Sequence, residues 1–121
     1  MNPILIVEDD PDGQVLVAHV IAHLHIPHDV VGDAEKAMEL LFQSDVEYQA
    51  VIIDLALPGK DGWQLLRAIR ENNKTKELFC IAVTAFHTSK TRDEAQRAGF
   101  NAYFAKPLNA SNFAHDLESL L

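Results

Sequence analysis

The chain has 121 residues, 48% hydrophobic and 23% charged, which are the proportions of one globular domain with a proper core and not of a disordered tract. A formal net charge of −8 excludes the basic face that direct contact with nucleic acid requires. The single Cys80 excludes an internal disulfide and thiolate metal centres, and it sits in an apolar run as a small core residue. No apolar stretch approaches the ~20 residues that span a bilayer, and no cleavable leader pattern is legible, so a cytoplasmic protein without membrane insertion is expected.

Ile4-Leu5-Ile6-Val7 reads as a first strand, closed by the acids Glu8-Asp9-Asp10. Pro11-Asp12 opens a helix whose core stripe is Leu16, Val17, Val20, Ile21 and Leu24, and Pro27 ends that region. His28-Asp29-Val30-Val31 is a short second strand toward the sheet edge. Asp33 suits an N-cap for one continuous helix carrying Ala37, Met38, Leu40 and Leu41. Val51-Ile52-Ile53 forms the third strand and ends at Asp54; Pro58-Gly59 then turns the chain. Asp61-Gly62 starts a helix with Leu65, Leu66 and Ile69 inward, closed by Asn72-Asn73. A fourth strand is expected over about 78–83, followed by a polar helix over about 89–97 that Gly99 stops. Ala102-Tyr103-Phe104-Ala105 is the fifth strand, and it runs into Lys106. Pro107-Leu108-Asn109 leads into a last helix with Phe113, Leu117 and Leu120.

Strands alternating with helices predict an α/β fold of five βα units, and right-handed crossovers make the sheet parallel. Short continuous apolar runs fit strands buried on both faces. The carboxyl ends of such strands share one edge, where open α/β sheets bind ligands. Glu8, Asp9, Asp54, Thr84 and Lys106 therefore gather there, far apart as they are in sequence. Carboxylates, a hydroxyl and an ammonium in one place suit a divalent cation and a phosphoryl group. Asp54, at the end of the central run, is a candidate nucleophile toward phosphorus. Other polar features are bland. Asp10 reads as a solvated acid near the helix start, and Trp63 as core cover. His19 and His23 have a metal-binding spacing but no third ligand in view, so they read as solvated surface residues.

The segments ILIVEDD, VIIDLALPGKDGWQLLRAIR, IAVTA and AYFAKP, in this order and at helix-length separations, resemble the receiver domain of two-component response regulators. The resemblance covers the chain almost end to end, so residues 1–121 are expected to form one receiver domain. It implies a flavodoxin-like (βα)5 fold with strand order 2-1-3-4-5. It further implies phosphorylation of Asp54 and a Mg²⁺ (or Mn²⁺) ion held by Asp9, Asp54 and the backbone carbonyl of Ala56, with Glu8 acting through water. Thr84, the backbone N–H of Ala85 and Lys106 would contact the phosphoryl oxygens. Pro107 would be a cis proline that aims the lysine, and Tyr103 the switch aromatic. Ala56 and Phe86 replace polar residues common in relatives, which implies slow self-dephosphorylation.

The implied partners are a sensor histidine kinase or histidine phosphotransfer protein, and a downstream protein effector or attached output domain. Asn101-Ala102 lacks the acidic pair, and Leu108 the phenylalanine, of relatives that dimerise through the fourth helix, fifth strand and fifth helix. The domain would be a switch that catalyses only its own modification, not a metabolic enzyme. Three other readings fare worse. An aspartyl phosphatase of the haloacid-dehalogenase type needs an acid where Ala56 stands. A flavodoxin-like FMN binder needs a phosphate loop where Glu8-Asp9-Asp10 would repel the ligand. A receiver working without phosphorylation would have no use for the complete acidic, hydroxyl and lysine set.

Overall fold

In a computed structural model that describes residues 1–121, strands and helices alternate along the whole chain. The strands are β1 (Ile4–Val7), β2 (His28–Val31), β3 (Ala50–Asp54), β4 (Phe79–Thr84) and β5 (Ala102–Ala105). The helices are α1 (Pro11–His23), α2 (Ala34–Met38), α3 (Gly62–Glu71), α4 (Ser89–Ala98) and α5 (Ala110–Leu120). All five strands pair in parallel in the order β2-β1-β3-β4-β5, the order that the sequence resemblance implies.

Strand geometry explains why the central runs are apolar at every position. Successive side chains point to opposite faces of a sheet, and here helices cover both faces. Leu5, Val7, Val51, Ile53, Cys80 and Ala82 face one layer, which α2, α3 and α4 cover with Ala37, Leu65, Leu66, Ile69 and Ala95. Ile4, Ile6, Ala50, Ile52, Ile81 and Val83 face the other, covered by Val17, Val20 and Ile21 of α1 and by Phe113 and Leu117 of α5. β2 has a neighbour on one side only and is half-exposed, as an edge strand should be.

Helix starts follow local side-chain chemistry. Asp10 caps α1, accepting from the Gly13 N–H at 2.9 Å, with Pro11 in the first turn. Asp61 and Gln64 form a reciprocal capping box at α3, each backbone N–H donating to the other's side chain at 2.9 Å. Thr88 caps α4 and Asn109 caps α5. Gly99 ends α4 in the left-handed region at φ 117°, where a side chain would be strained.

Two boundaries differ from expectation. The single helix expected after Asp33 is α-helical only to Met38 and continues as a π-helical segment, Glu39–Gln43. The wider turn frees the Leu40 carbonyl, which the Ser44 hydroxyl takes at 2.5 Å, while Leu41 still reaches the core. β4 begins at Phe79 because the Leu78 N–H closes a turn on the Thr75 carbonyl at 2.9 Å. It extends through Thr84, which pairs with Ala105 of β5.

Candidate functional site

Strand register places the polar groups. Val7 lies beside Ile53, Asp54 beside Val83, and Thr84 beside Ala105, so β1, β3, β4 and β5 end on the same edge. Each run then delivers the residue that follows it, or its own last one, into one cleft. Asp54 and Thr84 are still strand residues and are buried at 7% and 1% exposure; Glu8, just past β1, is buried at 3%. Burial of unpaired polar groups is costly, so each needs partners. The Glu8 N–H donates to the Val31 carbonyl at 3.0 Å, which extends the sheet by one residue. One Asp54 carboxylate oxygen accepts from the Ala56 N–H at 3.0 Å. The Thr84 hydroxyl accepts from the Phe86 N–H at 3.0 Å.

Lys106 joins the acids from the far side of the sheet. Its ammonium donates to Glu8 Oε1 at 2.5 Å and to Asp54 Oδ2 at 3.2 Å. Its backbone N–H donates to the Thr84 carbonyl at 2.8 Å, and the Lys106–Pro107 peptide is cis. Burial, followed by the hydrogen bond and charge of Asp54, pushes the Glu8 carboxyl up to about 7 against the downward pull of Lys106. Burial alone would lower the lysine, but its bonds and proximity to Glu8 and Asp54 outweigh this and raise it.

Asp9 remains exposed at the mouth of the cleft, and one carboxylate oxygen each from Glu8, Asp9 and Asp54 lie within 4.8 Å of one another. An all-oxygen set at that spacing fits a hard divalent cation such as Mg²⁺, which binds through one or two carboxylates and retains water. One lysine against three acids leaves the cleft negative, and a cation relieves that repulsion.

Close approach fixes Gly62 against backbone and sets Gly13 against the movable end of a side chain. A Cβ on Gly62 would lie 2.7 Å from the Asp54 carbonyl oxygen, and one on Gly13 would lie 2.8 Å from the Glu8 carboxyl carbon. The start of α1 therefore packs against the Glu8 side chain, and the start of α3 against the backbone at the end of β3. Beside them, a groove of about 520 Å³ runs between α1 and the β5–α5 connection, bordered by Glu8, Asp12, Leu16, Lys106 and Leu108.

A profile of the response regulator receiver domain matches residues 4–118. The chain belongs to the response-regulator receiver family. It is 35% identical over 107 residues to a 14.6 kDa protein of Leptolyngbya boryana named for the sodA1 3′ region, covering 88% of this chain and 79% of that one. Chemotaxis protein CheY-3 of Vibrio cholerae is 29% identical, with 97% of this chain and 89% of CheY-3 covered. Among solved structures, the receiver domain of the sensor histidine kinase PA1611 from Pseudomonas aeruginosa PAO1 superposes with a TM-score of 0.85. That protein is 29% identical over 98% of this chain and 95% of its own, and it was solved with magnesium coordinated in its active-site cleft. The chain is thus a CheY-like receiver domain of two-component signalling, and its acidic cleft fits the phosphoacceptor site of that family.

The receiver brings Glu8, Asp9, Asp54 and Lys106 together and sets Thr84 at the end of the adjoining strand. The backbones of Ala56 and Ala85 follow β3 and β4 into exposed loops. Tyr103 lies half-buried with its hydroxyl 3.1 Å from His87 Nδ1. Phe86 is 74% exposed and does not border the groove.

Some contributions went unread in the sequence. Asp10 is a helix cap as well as a solvated acid, and the Asp-Pro pair before an apolar stripe was the available signal. The Gln14 amide donates to the Glu8 carbonyl at 2.7 Å, and His87 holds Tyr103; neither carries a sequence signature.

Proposed function

We propose that Asp54 accepts a phosphoryl group from the phosphohistidine of a sensor kinase or phosphotransfer protein, and that the acyl phosphate switches the domain's conformation to control a downstream effector or attached output domain. The observation that carries this is the position of the Asp54 carboxylate, buried between Glu8 and Lys106 and within 4.8 Å of the Asp9 oxygen. An Asp54 oxygen attacks phosphorus as the phosphorus–nitrogen bond to the donor imidazole breaks, and the departing ring keeps the electron pair and takes up a proton. Phosphoryl transfer asks mainly for alignment and charge neutralisation.

Asp9, Asp54 and the Ala56 carbonyl would hold Mg²⁺, with Glu8 acting through water; the ion would neutralise the acids and the incoming oxygens. Lys106 exchanges its contact with Asp54 for a phosphoryl oxygen, a task suited to a compact ammonium. Thr84, once it releases the Phe86 N–H, donates its hydroxyl to another, and the Ala85 N–H is available beside it. Ala56 and Phe86 offer no group to position a hydrolytic water, which favours a long-lived phosphate. The domain turns over no substrate beyond its own phosphate. It works as a phosphorylated switch in the cytoplasm, where sensor kinases present phosphohistidine, and contacts neither nucleic acid nor membrane directly.

Intact-mass analysis after incubation with acetyl phosphate and Mg²⁺ tests the assignment. A single phosphoryl adduct is expected, absent from Asp54→Asn and absent in EDTA. Equal labelling of the variant, or full labelling in EDTA, would overturn it.

A further inference from the structure

On the sheet face opposite α2–α4, helices α1 and α5 enclose a second groove of about 390 Å³, remote from the phosphoacceptor cleft in its lining. His19 and His23 line it from α1, and His115 and Glu118 from α5. In sequence, His19 and His23 lack a third ligand; the fold supplies two candidates from 92 or more residues away (115 − 23 = 92). We infer that this groove is a site for a borderline divalent cation of the zinc, nickel or copper type, bridging α1 to α5 through His19, His23 and His115, with Glu118 as a further oxygen ligand.

The argument is one of spacing, room and ligand chemistry. Residues four apart stand one above the other on a helix, so His19 and His23 lie on the same face of α1, within reach of one ion. His115 and Glu118, three apart on α5, line the opposite wall. The groove between them is lined by Val20, Ala110 and Ala114, whose short side chains leave room for an ion and its ligands. Imidazole with one carboxylate suits zinc, nickel or copper, whereas Mg²⁺ prefers the all-oxygen cleft around Asp54. These side chains are exposed, and only Glu8, Asp9 and Asp54 bring three ligand atoms within 4.8 Å of one another. Closing the second site thus needs rotation of surface side chains on helices that are already in place.

The test titrates Zn²⁺ and Ni²⁺ separately into the full chain carrying Asp9→Asn and Asp54→Asn, which weakens the acidic cleft, with calorimetry and imidazole NMR as readouts. One ion per chain is expected, with the rings of His19, His23 and His115 all perturbed. His115→Gln should weaken binding at least about tenfold, because it removes the ligand from the second helix. Zn²⁺ should also raise the melting midpoint of the parent, and not of His115→Gln, since a bridging ion binds only the folded pair of helices. Binding left unchanged by His115→Gln, or no binding at all, would overturn the site. The histidines are surface residues, so their replacement leaves the fold intact, and failure here says nothing about phosphorylation of Asp54.

Discussion

Glu8 is held in a position that a carboxylate resists. Its side chain is buried beside another acid, and one lysine must serve both. The folded protein therefore holds this proton up to about pH 7, against an ordinary value of 4.5. Between those values the folded state binds more protons than the unfolded chain, so stability falls as pH rises through the window and levels off above it. Thermal melts in EDTA at intervals from pH 4.5 to 8 should show this decline in the parent, and Glu8→Gln should be distinctly flatter. Parallel profiles would exonerate Glu8. Added Mg²⁺ should flatten the parent as well, because a cation stabilises the ionised cleft.

Among the elements, α1 has the most demands on it. Its Asp10 cap and Gly13 fix its start against Glu8, Val17, Val20 and Ile21 bury its inner face, and Val15 stands 70% exposed on the outer one. Under the proposed function a donor imidazole would reach Asp54 near this N-terminal turn, and we propose Val15 as a contact for that partner. Val15→Glu should slow transfer from the cognate donor about fivefold or more, equivalent to roughly 1 kcal/mol, and leave acetyl phosphate labelling unchanged. Equal loss with both donors would indicate damaged folding. Most elements are legible in the sequence because their signals are local: apolar runs ending in a polar residue, and Asp, Thr or Asn before a stripe. The π-helical turn after Met38 is not legible, since Glu39 through Gln43 keep a helical pattern. The site divides in the same way. Strand ends identify which residues meet, but the Lys106–Glu8 pair joins residues 98 apart, and only the folded distance reveals that Glu8 holds the lysine. Asn101 shows the same limit. What reads as a missing dimer acid is an internal tie, accepting from the Cys80 N–H at 2.8 Å and from Arg70 at 3.0 Å.

For the whole molecule, the proposed function requires that chemistry at Asp54 alter a surface elsewhere, which a two-state equilibrium would provide. Tyr103 on β5 and Thr84 at the end of β4 are the groups on hand to connect them. In the structure both are engaged: Thr84 accepts from the Phe86 N–H, and Tyr103 is tied to His87, with ring centroids 5.5 Å apart. Thr84, Phe86 and His87 lie within four consecutive residues, so a shift of the loop after β4 toward a phosphoryl group disturbs both bonds together. We propose that His87 acts as a clamp that favours this conformation. A hydrogen bond of this kind contributes about 1 kcal/mol, so His87→Ala should raise the activated population about fivefold before any phosphate arrives. In NMR spectra, amides of β5 and of the loop after β4 should move along the line joining the free and beryllofluoride-bound spectra of the parent. Beryllofluoride should bind more tightly by a similar factor, because less of its binding energy is spent on the transition. Tyr103→Phe, which loses the same bond from the other side, should shift the amides in the same direction. Changes confined to the neighbours of residue 87, with no gain in affinity, would show that the bond decorates the resting state without holding it.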